Sequence, residues 1–84
     1  MRRVYDRDVI RTVMDECGIT QQELADLMGY STQSAVSQIK NRKRCSLEKV
    51  LAALNKMGCA LIVKRNDVAL FEVVTDWEIE KKED

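Results

Sequence analysis

Eighty-four residues bound this chain to one domain with a modest core, marginal in stability unless it associates. Fourteen basic residues balance fourteen acidic ones, which argues against indiscriminate electrostatic binding to a polyanion while leaving room for a local basic patch. Histidine is absent, and Cys17, Cys45 and Cys59 are odd in number and never spaced as CxxC; this pattern speaks against a disulfide framework, a zinc site and the commonest general base. No cofactor or metal is expected. The start, MRRVYDRD, has no apolar signal core and no run approaches membrane length, so a soluble cytoplasmic protein is expected. Residues 1–45 hold eight Lys/Arg against six Asp/Glu, and residues 46–84 hold six against eight, so the basic surplus lies in the first half.

Residues 1–5 are a basic lead-in, and Arg2 and Arg3 are either a frayed tail or a phosphate contact. Asp6 is expected to cap a first helix to about Cys17, with Val9, Ile10, Val13, Met14 and Cys17 on one face and Gly18 closing it. Thr20 and Glu23 form a capping box for a second helix, with Ile19 and Leu24 placed as a hydrophobic staple. Leu24, Ala25, Leu27 and Met28 supply its apolar face, and Gly29 ends it, because glycine takes the left-handed conformation at little cost. A third helix at about residues 33–40 turns Ala35, Val36 and Ile39 inward and leaves Gln33, Ser34, Ser37, Gln38 and Lys40 to point elsewhere. Ser46 caps a fourth helix to about Met57, with Leu47, Val50, Leu51, Leu54 and Met57 at helical spacing and Gly58 at its end.

The outward set on the third helix has a chemistry. A glutamine amide sets a donor beside an acceptor, which matches the N6 and N7 edge of adenine in the major groove. Serine hydroxyls suit a base edge or a phosphate. Lys40, Arg42, Lys43 and Arg44 follow, placed to neutralise phosphates and release counterions. The same spacing also fits an ordinary solvated helix face in a small bundle.

Beyond Gly58 the pattern changes. Cys59–Lys64 and Val68–Val74 are β-branched and apolar, and Asn66 and Asp67 between them tolerate the positive φ of a tight turn, so a β-hairpin is expected. The fold class is therefore mainly α with a C-terminal β-hairpin. With Arg65 opposite Val68 in a regular ladder, one face carries Cys59, Leu61, Val63, Val68, Leu70 and Val74. The other carries Ala60, Ile62, Ala69, Phe71 and Val73. Two apolar faces on a marginal two-stranded unit predict a homodimer held by Leu61, Ile62, Val63, Leu70, Phe71 and Val73. A monomer with its hairpin covered by the helices is the alternative. The chain is expected to divide into a helical region 1–58 that carries the candidate DNA-binding face, a dimerisation hairpin 59–74 and a charged tail 75–84, in which Trp77 is either part of a disordered end or an anchor.

With these residues read, Thr20 to Arg44 resembles the helix-turn-helix of phage repressors and Cro-type regulators, the XRE-like family. The matching residues are Thr20, Gln21, Leu24, Ala25, Gly29, Gln33, Ser34, Val36, Ile39, Asn41, Lys43 and Arg44, and the likeness covers about residues 6–57. It implies a lambda-repressor-like bundle of four short helices, with the hairpin as an extension. It further implies that Gln21 meets a phosphate at a helix N-terminus and that Gln33, Ser34 and Gln38 read bases. Thr32 and Ser37 would lie on sugar-phosphate or a thymine methyl, and Asn41, Arg42, Lys43 and Arg44 would clamp the backbone. Two departures stand out. One residue more than usual lies between Gly29 and Val36, which leaves the assignment among Thr32, Gln33 and Ser34 open by one place. Arg42 stands where the family often has glycine, so Asn41 is expected to take the left-handed position.

A dimeric, sequence-specific regulator, a repressor on an inverted-repeat operator, is the expected function. The alternative comes from another class: an antitoxin that holds a toxin protein and regulates its own synthesis through the same helices, since the hairpin is similar to strand extensions in antitoxin-type members. An enzyme is not expected, because no nucleophile–base pair or Gly-rich phosphate loop is present.

Overall fold

A computed structural model describes residues 2–41 and 45–75. Four helices, α1 (Val9–Cys17), α2 (Gln21–Met28), α3 (Ser34–Lys40) and α4 (Leu47–Lys56), precede an antiparallel hairpin of β1 (Leu61–Arg65) and β2 (Val68–Val73). The expected architecture is present. Arg42, Lys43, Arg44 and the tail with Trp77 lie outside the described residues.

Local chemistry sets most of the helix ends. Thr20 Oγ1 accepts the Glu23 N–H at 3.1 Å while Glu23 Oε1 accepts the Thr20 N–H at 3.1 Å, so two donors that the first turn leaves over are both satisfied. Ile19 and Leu24 flank this box and both reach the core, which fixes the angle at which the chain enters α2. Gly29, at φ 76°, ends α2 in the left-handed conformation and lets its N–H and that of Tyr30 close onto the helix carbonyls. Ser46 Oγ accepts the Lys49 N–H at 3.3 Å and starts α4.

Three local expectations are corrected. Asp6 does not cap α1: the Asp8 N–H donates to the Tyr5 carbonyl at 2.9 Å, which winds Asp6–Asp8 into a 3₁₀ turn and delays α1 to Val9. Leu27 does not join the buried face of α2, where Leu24, Ala25 and Met28 already fill the inward stripe; it is 44% exposed. Asn41 ends α3 at φ −96°, outside the left-handed region, with its side chain engaged by Arg11 and Ser37.

Ile10, Leu24, Val36 and Ile39 are the largest fully buried side chains, so α1, α2 and α3 meet in one place. Met14, Met28, Val50 and Leu54 join the cluster from α1, α2 and α4, with Met57 at the C-terminal cap of α4 and the small side chains of Ala25, Ala52 and Ala53 between them. Each large apolar side chain contributes about 1.5–3 kcal/mol when fully buried. Among the described residues no polar or charged side chain is buried, so the polar face of α3 is left to solvent.

The hairpin departs from a regular ladder. Arg65 pairs with Val68 and Lys64 with Ala69, but the register then shifts, and Phe71 pairs with Val63, Glu72 with Ile62 and Val73 with Leu61. Leu70 is the extra residue of a β-bulge, and one extra residue exchanges the faces of everything beyond it. Phe71 and Val73 therefore share a face with Leu61, Val63 and Val68, while Ile62, Lys64, Ala69 and Glu72 share the other. The expectation of two apolar faces is thus wrong, because the alternation is broken in the middle of β2: one face is apolar except for Arg65 beside Val68 at its turn end, and the other is mixed. At the base Leu61 packs against the helical core; towards the turn, exposure rises through Val63 (37%), Phe71 (58%) and Val68 (64%). The turn itself is Asn66–Asp67, with Asn66 at φ 57°.

Candidate nucleic-acid interface

The residues expected at the interface fall on the start of α2, the turn of residues 29–33 and the outer side of α3. Val36 and Ile39 are locked in the core, and this sets the rotation of α3. Gln33, Ser37 and Asn41 then form one row at four-residue spacing, and Ser34 and Gln38 form the next. The longer turn is absorbed before the helix begins. Gln33 occupies the N-cap position, Ser34 is the first helical residue, and Thr32 stays in the turn with its hydroxyl 2.8 Å from Ser34 Oγ.

Gln33 is held by α2. Its Nε2 donates to Gln22 Oε1 at 2.9 Å, and Gln22 Nε2 donates in turn to Asp26 Oδ1 at 2.9 Å. An amide has two N–H donors and one carbonyl. After the bond to Gln22, Gln33 retains one N–H beside its carbonyl oxygen. Gln38 lies exposed one turn beyond Ser34, whereas Ser37 is half-buried and accepts from Asn41 Nδ2 at 3.3 Å.

The basic and phosphate-type residues divide in the same way. Lys40 is half-buried, and its Nζ donates to Gln21 Oε1 at 3.2 Å. Beside that oxygen, Gln21 presents its side-chain NH₂ and its backbone N–H, which the capping box does not use. Both are donors, so this corner suits an anion, reinforced by the Lys40 charge. At the far end of α3, Arg11 from α1 donates to Asn41 Oδ1 at 2.6 Å and lies 3.8 Å from Asp8. Thus Gln21 and Lys40 are brought together, as are Gln33 and Ser34 at the first turn of α3. Lys40 and Asn41 close the described part of the basic run.

Two contributors escape a reading of the sequence. Gln22 carries a faint signal, the i,i+4 spacing to Asp26. Arg11 carries none, because its partner Asn41 is thirty positions away. Tyr30, in the turn, packs on the core, and burial, followed by the charge of Cys45, pushes its hydroxyl above the usual tyrosine range.

A capped helix, a left-handed glycine turn and a second helix laid with its apolar stripe inward and its amides outward define a helix-turn-helix DNA-binding domain. The chain belongs to the helix-turn-helix family (HTH_3), of the XRE and lambda-repressor-like kind, whose model matches residues 10–63. It is accordingly a DNA-binding regulator of the XRE type. No curated protein and no solved structure matches it. Among the described residues no helix is long and apolar enough to cross a membrane.

Proposed function

We propose that the protein is a dimeric repressor that reads an inverted-repeat operator through the major groove. Gln33, Ser34 and Gln38 read base edges, with Thr32 and Ser37 beside them on sugar-phosphate or a thymine methyl. Gln21, Lys40, Asn41, Arg42, Lys43 and Arg44 hold phosphates. The observation that carries this reading is Gln33, fixed by Gln22 with one N–H and one carbonyl still to offer, which is the pair that adenine N7 and N6 require. Repression needs no more than occupancy of the duplex.

Dimerisation is supported by the outer half of the hairpin. Val63, Val68 and Phe71 form an apolar face that the helices do not cover. A twofold axis there would present two α3 helices to successive major grooves about 34 Å apart. The same face also supports a second reading, an antitoxin that covers Phe71 with a toxin protein, and co-purification of such a partner from cells would favour it.

The division of labour is tested by titrating variants on an operator and on scrambled DNA. Gln33→Ala should lose about 1–3 kcal/mol of discrimination at one base pair and little on scrambled DNA. Arg42→Ala should weaken both alike and lower the slope of affinity against salt by about one ion. Equal losses on every DNA for both variants would remove the base-reading role of Gln33.

A further inference from the structure

On α1, the helix that carries Arg11, the fold brings together two cysteines that are far apart in sequence. Cys17 is the last residue of α1, and Cys59 lies in the link between α4 and β1. Both line a shallow, mostly apolar groove of about 200 Å³ walled by Val4, Val9 and Val13, with Arg2 at its rim. The two thiols face the same groove as neighbours, and the Cys59 thiol donates to the Met57 carbonyl at 3.7 Å, which leaves its sulfur lone pairs free. Both backbones are held: Cys17 belongs to α1, and the Cys59 N–H donates to the Leu54 carbonyl at 2.8 Å. Exposure separates their roles, since Cys17 is exposed and Cys59 half-buried. Burial, with the neighbouring Cys17 behind it, raises the Cys59 thiol above its ordinary range, so Cys59 keeps its proton. Cys45 stands apart, half-buried with its sulfur 3.6 Å from the Ser46 carbonyl, and does not line the groove.

We propose that Cys17 and Cys59 are an oxidisable pair that hydrogen peroxide converts into a reversible intramolecular disulfide tying the end of α1 to the base of the hairpin. The exposed Cys17 sulfur attacks a peroxide oxygen, the O–O bond breaks, and Cys17 becomes a sulfenic acid as one water leaves. The Cys59 sulfur then attacks Cys17, the S–S bond forms and the S–O bond breaks. Hydroxide departs with the Cys59 proton as a second water. Two thiols and one peroxide thus yield one disulfide and two waters, with two electrons passing from sulfur to oxygen. A dithiol reverses the step by exchange. The bond closes a loop that contains α2, α3 and α4, so it restricts the unfolded chain and fixes the root of the hairpin.

The test uses the full chain, reduced and then exposed to dilute hydrogen peroxide. Trypsin separates the three cysteines, because Arg11, Lys40, Arg44, Lys49, Lys56 and Lys64 bracket them. The expected product is a monomeric mass loss of about 2 Da, two hydrogens, with the Cys17 and Cys59 peptides joined and Cys45 still free to alkylate, all reversed by dithiothreitol. The melting temperature should rise by on the order of 10 °C. Cys17→Ser, a change at an exposed position, should abolish both the bond and the shift. The proposal is overturned if oxidation joins only separate copies, or leaves Cys17 over-oxidised while Cys59 remains alkylatable. It is also overturned if Cys17→Ser shows the same rise in melting temperature as the unaltered chain.

Discussion

At the level of single side chains, the hydrogen bond between Gln33 and Gln22 decides how much order a base contact must still impose. A free glutamine loses up to about 1.5–2 kcal/mol of rotamer freedom when it is fixed. Gln22, itself held by Asp26, fixes Gln33 before any DNA arrives. Removing Gln22 should therefore act through Gln33 and not through the fold. Both side chains are exposed, so Gln22→Ala should alter stability by less than about 0.5 kcal/mol. Operator affinity should fall by about 1 kcal/mol, roughly five-fold, the net worth of one neutral hydrogen bond. Fluorescence anisotropy on operator and scrambled duplexes separates the cases. A loss of equal size on both would mean that Gln22 serves a phosphate or the fold, and the coupling to Gln33 would be discarded.

At the level of elements, α2 places everything else, and its start rests on the two bonds between Thr20 and Glu23. Thr20→Ala removes the hydroxyl that satisfies the Glu23 N–H, which should cost about 1 kcal/mol and lower the melting temperature by about 4–8 °C in a domain of this size. A thermal melt followed by circular dichroism reads this directly, and an unchanged midpoint would mean that solvent replaces the cap. Features of this kind are legible in a sequence because donor and acceptor lie three residues apart. The same locality explains Gly29, Ser46 and the apolar spacing of α4. The hairpin was only half legible. Its existence and its turn follow from Asn66 and Asp67 between β-branched runs, but nothing local marks Leu70 as the residue that drops out of the ladder. That single bulge moves Phe71 and Val73 to the other face. The start of α1 failed for a similar reason, since Asp6 has the chemistry of a cap and the Asp8 to Tyr5 bond winds the chain past it. Neighbours from distant elements, Arg11 bonded to Asn41 and Cys17 sharing a groove with Cys59, emerge only when the helices pack.

At the level of the whole molecule, the corrected hairpin sharpens the case for a second copy. A mixed face of Ile62, Lys64, Ala69 and Glu72 tolerates water, so the unsolved problem is the single apolar face that ends in Val63, Val68 and Phe71. Phe71 is 58% exposed in one copy, so Phe71→Asp should fold with little loss. In a twofold dimer the same change appears twice. Each buried aromatic contributes about 1.5–3 kcal/mol, so the pair removes about 3–6 kcal/mol, enough to weaken the dimer more than a hundred-fold before any penalty for the buried carboxylates. Sedimentation equilibrium should then show the unaltered chain as a dimer and Phe71→Asp as a monomer, with Glu72→Ala, on the opposite face, still dimeric. Binding to a full inverted repeat should fall steeply, because the second half-site no longer benefits from a tethered partner, whereas binding to an isolated half-site should hardly change. A dimer that survives Phe71→Asp would place the interface elsewhere. A monomeric unaltered chain would leave the hairpin face free for the toxin partner of the second reading.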